Sequence, residues 1–88
     1  MGTAANEVEI EIEIDEEADA AYVRLGSGSV ARTEEIADGI LIDLDADGEL
    51  VGVEVLDLQR RVHGGDRNSY LNGLVAGLRL LPARTAAE

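Results

Sequence analysis

Polar and apolar residues alternate without interruption from Glu7 to Ile14, as Glu-Val-Glu-Ile-Glu-Ile-Glu-Ile. A period of two sends successive side chains to opposite faces of an extended chain. The stretch therefore predicts a β-strand with its isoleucines toward a core and its glutamates toward water. A second short strand is predicted over Asp19 to Leu25, after a connection at Asp15 to Ala18. Opposed residues of an antiparallel hairpin share a face. Two registers satisfy this, bringing Ile10, Ile12 and Ile14 beside Ala21, Val23 and Leu25 and setting Arg24 across from either Glu9 or Glu11. A slip of one residue would put Arg24 among the isoleucines, so it is rejected. The pattern does not choose between the two registers.

Gly26-Ser-Gly-Ser29 reads as a turn, and Val30 to Ala37 as a third, weaker strand. Asp38-Gly39 and Asp47-Gly48 are both two-residue hairpin signals, and they bracket a fourth strand, Ile40 to Asp45. Leu50 to Leu56 forms a fifth. A type I′ turn at Asp47-Gly48 aligns Ile40, Ile42 and Leu44 with Val55, Val53 and Val51 in one continuous apolar face, so turn chemistry and pattern agree there. On the third strand they conflict. An Asp38-Gly39 turn would put Thr33 and Glu35 on the apolar face, which predicts a bulge or an edge position.

Beyond Leu56 the period changes. Asp57 to Arg61 predicts one helical turn with Asp57 as N-cap, broken by Gly64-Gly65. Asp66 or Asn68 then caps a helix running to about Leu81, where Pro82 stops it. Leu71, Leu74, Val75, Leu78 and Leu81 give that helix one apolar stripe. Gly73 and Gly77 weaken it by up to ~1 kcal/mol each relative to Ala, so close packing on the sheet or on a partner is expected there.

Length and charge narrow the picture. Eighty-eight residues, 45% of them hydrophobic, suffice for one small domain. The expected organisation is a disordered lead-in over 1–6, a β-sheet domain over 7–62, the C-terminal helix over 63–82 and a tail over 83–88. Nineteen acids against seven arginines and no lysine give a net charge of −12. The excess is lopsided: residues 1–57 hold 17 acids and 2 arginines, residues 58–88 hold 2 acids and 5 arginines. So negative a front half repels phosphate, which argues against nucleic acid. No apolar run approaches a membrane span and the N-terminus lacks a signal-peptide layout, so no membrane role is expected and a cytoplasmic location is. Without cysteine there is no disulfide, thiolate nucleophile or thiolate metal site.

Two stretches carry a family likeness: Asp15-Glu-Glu-Ala-Asp-Ala-Ala-Tyr-Val-Arg-Leu25, and the run from Val30 to Asp57 with its Thr-Glu-Glu and its Asp-x-Asp-Gly hairpin. From about Ile12 to Val62 the chain resembles domain-of-unknown-function family 2283. That resemblance implies a small bacterial or archaeal β-meander domain with no assigned activity. It also implies, through relatives encoded beside small toxin-like genes, an antitoxin or accessory role. The longer arginine-bearing helix at the C-terminus departs from the family pattern.

The sharpest chemical motif is Asp43-x-Asp45-x-Asp47-Gly48 with Glu54 six positions beyond the glycine and Leu50 at the eighth place, the pattern of an EF-hand calcium loop. Its surroundings contradict it. An EF-hand loop joins two helices, whereas this one joins two strands, and Asp43 and Asp45 would lie ~6.6 Å apart along one strand face. A solvated turn is the favoured reading, with divalent-cation binding through Asp43 to Glu54 as an alternative. The ladder of Glu7, Glu9, Glu11 and Glu13 keeps an outer strand soluble first and attracts a basic partner second. His63 is a lone histidine in a polar loop; Ser27, Ser29 and Ser69 sit in no nucleophile elbow. Gly73-x-x-x-Gly77 is a membrane-helix packing motif and weak in this setting. Arg60, Arg61, Arg67, Arg79 and Arg84 could meet an acidic surface, including the sheet of a second copy.

Taken together, these features predict an α+β domain, an antiparallel β-meander of four to five strands with one C-terminal helix packed on its apolar face. No catalytic, cofactor-binding or metal-binding residue is assigned and no cofactor is expected. The expected function is that of a non-enzymatic interaction module that self-associates as a dimer, since so short a chain buries limited surface. The alternative is an antitoxin-like partner of a small basic protein.

Overall fold

The computed structural model describes residues 10–63 and 65–80. Its elements are β1 (Ile10–Asp15), β2 (Ala20–Leu25), β3 (Arg32–Ala37), β4 (Ile40–Leu44), β5 (Leu50–Leu56), α1 (Leu58–Arg61) and α2 (Arg67–Arg79). The predicted lead-in, Glu7 to Glu9 and the tail lie outside the described residues. The α+β architecture expected from the pattern is present: one five-stranded antiparallel sheet with a C-terminal helix.

The strand order is β1-β2-β5-β4-β3. A β1–β2 hairpin and a β3–β4–β5 meander meet along β2 and β5, so β2 to β5 form a Greek key. Six residues, Gly26 to Ala31, carry the chain from β2 to the far edge. Three strand spacings are roughly 14 Å, within reach of six extended residues. The crossing is pinned by Arg24 Nη2 donating to the Gly28 carbonyl (3.0 Å) and by the Ala31 amide donating to the Leu44 carbonyl (2.7 Å).

The β1–β2 register puts Ile10 against Leu25 and Glu11 against Arg24, which decides between the two registers the sequence left open. On the helix-covered face Val23 and Leu25, Ile42 and Leu44, and Val53 and Val55 are buried against Leu58 of α1 and Leu71 and Val75 of α2. Each such burial is worth roughly 2 kcal/mol relative to exposure. Ile12 and Ile14 pack on this cluster but stay partly exposed, because β1 is an edge strand.

Two hairpins differ from expectation. Asp47-Gly48 is not a type I′ turn: among the pair only Gly48 has positive φ (82°), and the loop closes one residue wider, from Asp45 to Glu49. Leu44 consequently opposes Leu50, not Val51, and Val51 becomes the extra residue that returns the ladder to Asp43–Gly52. The Ile40–Val55 and Ile42–Val53 pairs stand as predicted. The conflict foreseen on the third strand is resolved by both devices at once. β3 is an edge strand, and Ile36 bulges between Glu35 and Ala37. Thr33 and Glu35 are thereby exposed, and Arg32, Glu34 and Ile36 take the helix-side face.

The helices also depart in part. Asp57 sits at the N-cap position of α1 but in a left-handed conformation (φ 55°), with no side-chain cap bond. The cap comes from 40 residues upstream: Asp19 accepts the Leu58 amide on its carbonyl (2.9 Å) and the Gln59 amide on Oδ1 (3.1 Å). Asp66, one of the two expected caps, accepts the Ser69 amide at 3.1 Å. α2 ends at Arg79, where Leu80 tightens back onto the Gly77 carbonyl. The close sheet packing expected at Gly73 and Gly77 is absent, since a side chain at either would meet open space.

Candidate functional site

The sheet face away from the helices carries a concentration of acidic side chains. Three rows cross it. Glu11, Arg24, Gly52, Asp43 and Thr33 stand side by side from β1 to β3; Glu13, Tyr22, Glu54, Leu41 and Glu35 form the next row; Asp15, Ala20 and Leu56 begin a third. Six acids face one arginine there, and Arg24 is turned to the Gly28 carbonyl. Period-two alternation along the strands produces this, and Glu11 and Glu13, both predicted to face water, stand on this surface.

A polar network ties the face together. The Tyr22 hydroxyl donates to Asp43 Oδ2 at 2.5 Å, and the Thr33 hydroxyl donates to Asp43 Oδ1 at 2.6 Å. Tyr22 and Asp43 belong to strands on either side of β5, and they meet because Gly52 lies between them. A Cβ at Gly52 would run into the Tyr22 hydroxyl and crowd Asp43 Oδ2. Burial, reinforced by the Asp43 carboxylate as hydrogen-bond acceptor and negative charge, pushes the Tyr22 phenol up to about 12. The phenol keeps its proton at neutral pH and acts in the network as a hydrogen-bond donor.

Sequence reasoning did not single out Tyr22, Thr33 or Gly52. A signal existed: a glycine inside a strand marks close approach of another group, and the Asp43–Gly52 pairing follows from the hairpin register.

The EF-hand residues are not brought together. Asp43 is occupied by Tyr22 and Thr33. Asp45 Oδ1 accepts the Asp47 and Glu49 amides (2.9 and 3.0 Å), closing the hairpin loop, while Glu54 lies in the adjacent row of the open face. Among the described residues no three acidic or histidine side chains converge as metal ligands.

The other candidates have structural partners or none. His63 is exposed after α1, and Ser27 and Ser29 lie in the exposed crossing loop. The Ser69 hydroxyl bonds Asp66 at 3.3 Å. Three of the arginines considered for an acidic partner are held within the chain. Arg60 pairs with Asp57 (3.2 Å) and Arg67 with Glu16 (3.3 Å), while Arg61 donates to the Leu56 and Asp38 carbonyls, clasping the β3–β4 turn against the end of β5. Arg79 is exposed on α2, and Arg84 lies outside the described residues.

Where β1 turns into β2, a shallow open depression is lined by Glu13, Asp15, Glu16, Glu17, Tyr22 and Glu54, among others. Asp15 Oδ1 organises the turn by accepting the Glu17 and Ala18 amides. Among the described residues no helix is long and apolar enough to cross a membrane.

No curated protein and no solved structure matches the chain significantly. A family model does, over residues 11–59, the stretch that builds all five strands and the Asp19–α1 cap. That span covers more than half of the 88 residues, and the chain belongs to the family described as protein of unknown function (DUF2283).

Proposed function

We propose that the chain is a non-catalytic interaction module that docks a basic protein on its open sheet face. The observation that carries this is a sheet face that no other described element covers, with six acids and one arginine at fixed spacings beside the half-buried Leu41 and Tyr22. A preformed surface of predominantly one charge sign attracts a partner of the other and speeds encounter, most strongly at low ionic strength. Support for a non-catalytic role is the Thr33–Asp43–Tyr22 network, in which both Asp43 carboxylate oxygens accept hydroxyls of the sheet itself.

The antitoxin-like role is the case in which that partner is a small basic toxin. Self-association belongs to the same proposal, because a small two-layer domain with two open sheet edges has surface to cover. The proposed setting is the cytoplasm, which suits a chain without cysteine.

Affinity capture from the native host tests the docking role. One dominant basic protein is expected, released by raised salt and lost when Glu13→Lys and Glu54→Lys are combined. A partner retained by that variant, or one that is not basic, would overturn the reading.

A further inference from the structure

We propose that a second copy of the chain adds to the β3 edge, pairing β3 with β3 about a two-fold axis at Thr33. The inference rests on the self-association reading and names the surface that carries it.

Among the described residues the sheet ends in two edge strands, β1 and β3. A two-fold axis normal to the sheet pairs like faces, so residues of the same parity come opposite one another. On β1 the exposed series is Glu11, Glu13 and Asp15, acidic at every position. Any such pairing of β1 with itself sets acid against acid, which is destabilising. That edge repels its own copy.

β3 has a different charge order. Arg32 and Glu34 share the helix-side face two residues apart and pair with each other at 3.0 Å. Centring the axis on Glu34 opposes two glutamates, and centring it on Arg32 opposes two arginines. With Thr33 on the axis, each Arg32 stands opposite the partner's Glu34. Two ion pairs of opposite direction then lie side by side as a box of alternating charge. The same register brings Val30 toward the partner's Ile36. Val30 is 47% exposed, and Ile36 is the bulged residue at the end of the strand. Pairing there would cover the exposed Val30.

Because the chain has no cysteine, register can be read by cross-linking. Opposed residues at the axis have Cα atoms about 5 Å apart, within disulfide reach, whereas two Glu35 residues would be about 13 Å apart. Thr33→Cys is expected to oxidise to a covalent dimer, and Glu35→Cys is not. By light scattering at micromolar concentration the unmodified chain should have the mass of two copies. Arg32→Glu and Glu34→Arg should each reduce it to one, and the double exchange should restore two, with circular dichroism confirming folded protein. A monomeric parent chain would overturn both self-association and this edge. A dimer in which Glu35→Cys links as fast as Thr33→Cys, or which the single exchanges leave intact, would overturn the β3 pairing and leave self-association standing.

Discussion

Gly52, in the middle of the central strand, is the floor under the Tyr22 hydroxyl: the phenol crosses β5 at the one position with no side chain and reaches Asp43 on the other side. Gly52→Ala must expel the ring or bend the strand, and a loss of about 2 kcal/mol is expected by urea denaturation. Tyr22→Phe alone should cost about 1.5 kcal/mol, from the lost bond to a carboxylate. In the background of Tyr22→Ala the Gly52→Ala cost should largely vanish, because the atom it strikes is gone. Additive losses would show that the two residues are not coupled.

The same network makes stability pH-dependent in the alkaline range. The Tyr22 phenol ionises near 10 when unfolded and at about 12 when folded. Below pH 10 both states keep the proton and the stabilisation is fully present. Between about 10 and 12 the unfolded state loses its proton first, so stability falls as pH rises. The difference in ultraviolet titration between the parent chain and Tyr22→Phe should isolate one phenol ionising far above 10, and Tyr22→Phe should flatten the alkaline decline.

Asp19 has two tasks, turning the chain at φ 55° and capping α1 through the Gln59 amide. Asn tolerates the left-handed region and keeps the acceptor, so Asp19→Asn should be close to neutral. Asp19→Ala loses the acceptor and strains the backbone, and about 2 kcal/mol should be lost. Thermal melts of the two variants check the order.

Gly73 and Gly77 face open space on α2. Replacing both by alanine should raise the melting temperature, each contributing up to about 1 kcal/mol of helix stability. A fall in melting temperature would mean that a partner packs against them.

Calcium calorimetry should give no micromolar binding heat, since Asp43 and Asp45 are spent on hydroxyl and amide donors within the sheet and its loop.

The strands were legible because their alternation is nearly unbroken, and even the trouble on β3 showed as Thr33 and Glu35 falling on the wrong face. What the pattern could not show was order. Local periodicity says which face a residue takes but not which strand stands beside it, so the β2–β5 junction, and with it the Tyr22–Asp43 bond, required a partner 21 residues away. The α1 cap was missed for the same reason. Asp57 was the local candidate, while the acceptor came from Asp19 in a different turn. The Asp47-Gly48 loop failed on a smaller scale, because an Asp-Gly pair fits a three-residue loop with a left-handed glycine as well as a two-residue one.

The position of β5 has a consequence for how the protein is made. The last strand to leave the ribosome is the middle of the sheet, so until Leu56 has emerged the β1–β2 and β3–β4 hairpins have no common neighbour. For that interval each presents an unpaired inner edge to every other nascent chain. A front half with 17 acids on 57 residues sets like charge against like charge between such chains, which opposes pairing of those edges. The charge that defines the finished surface thus also bears on the unfinished one, disfavouring contact between the two halves of different sheets before the strand that joins them has emerged.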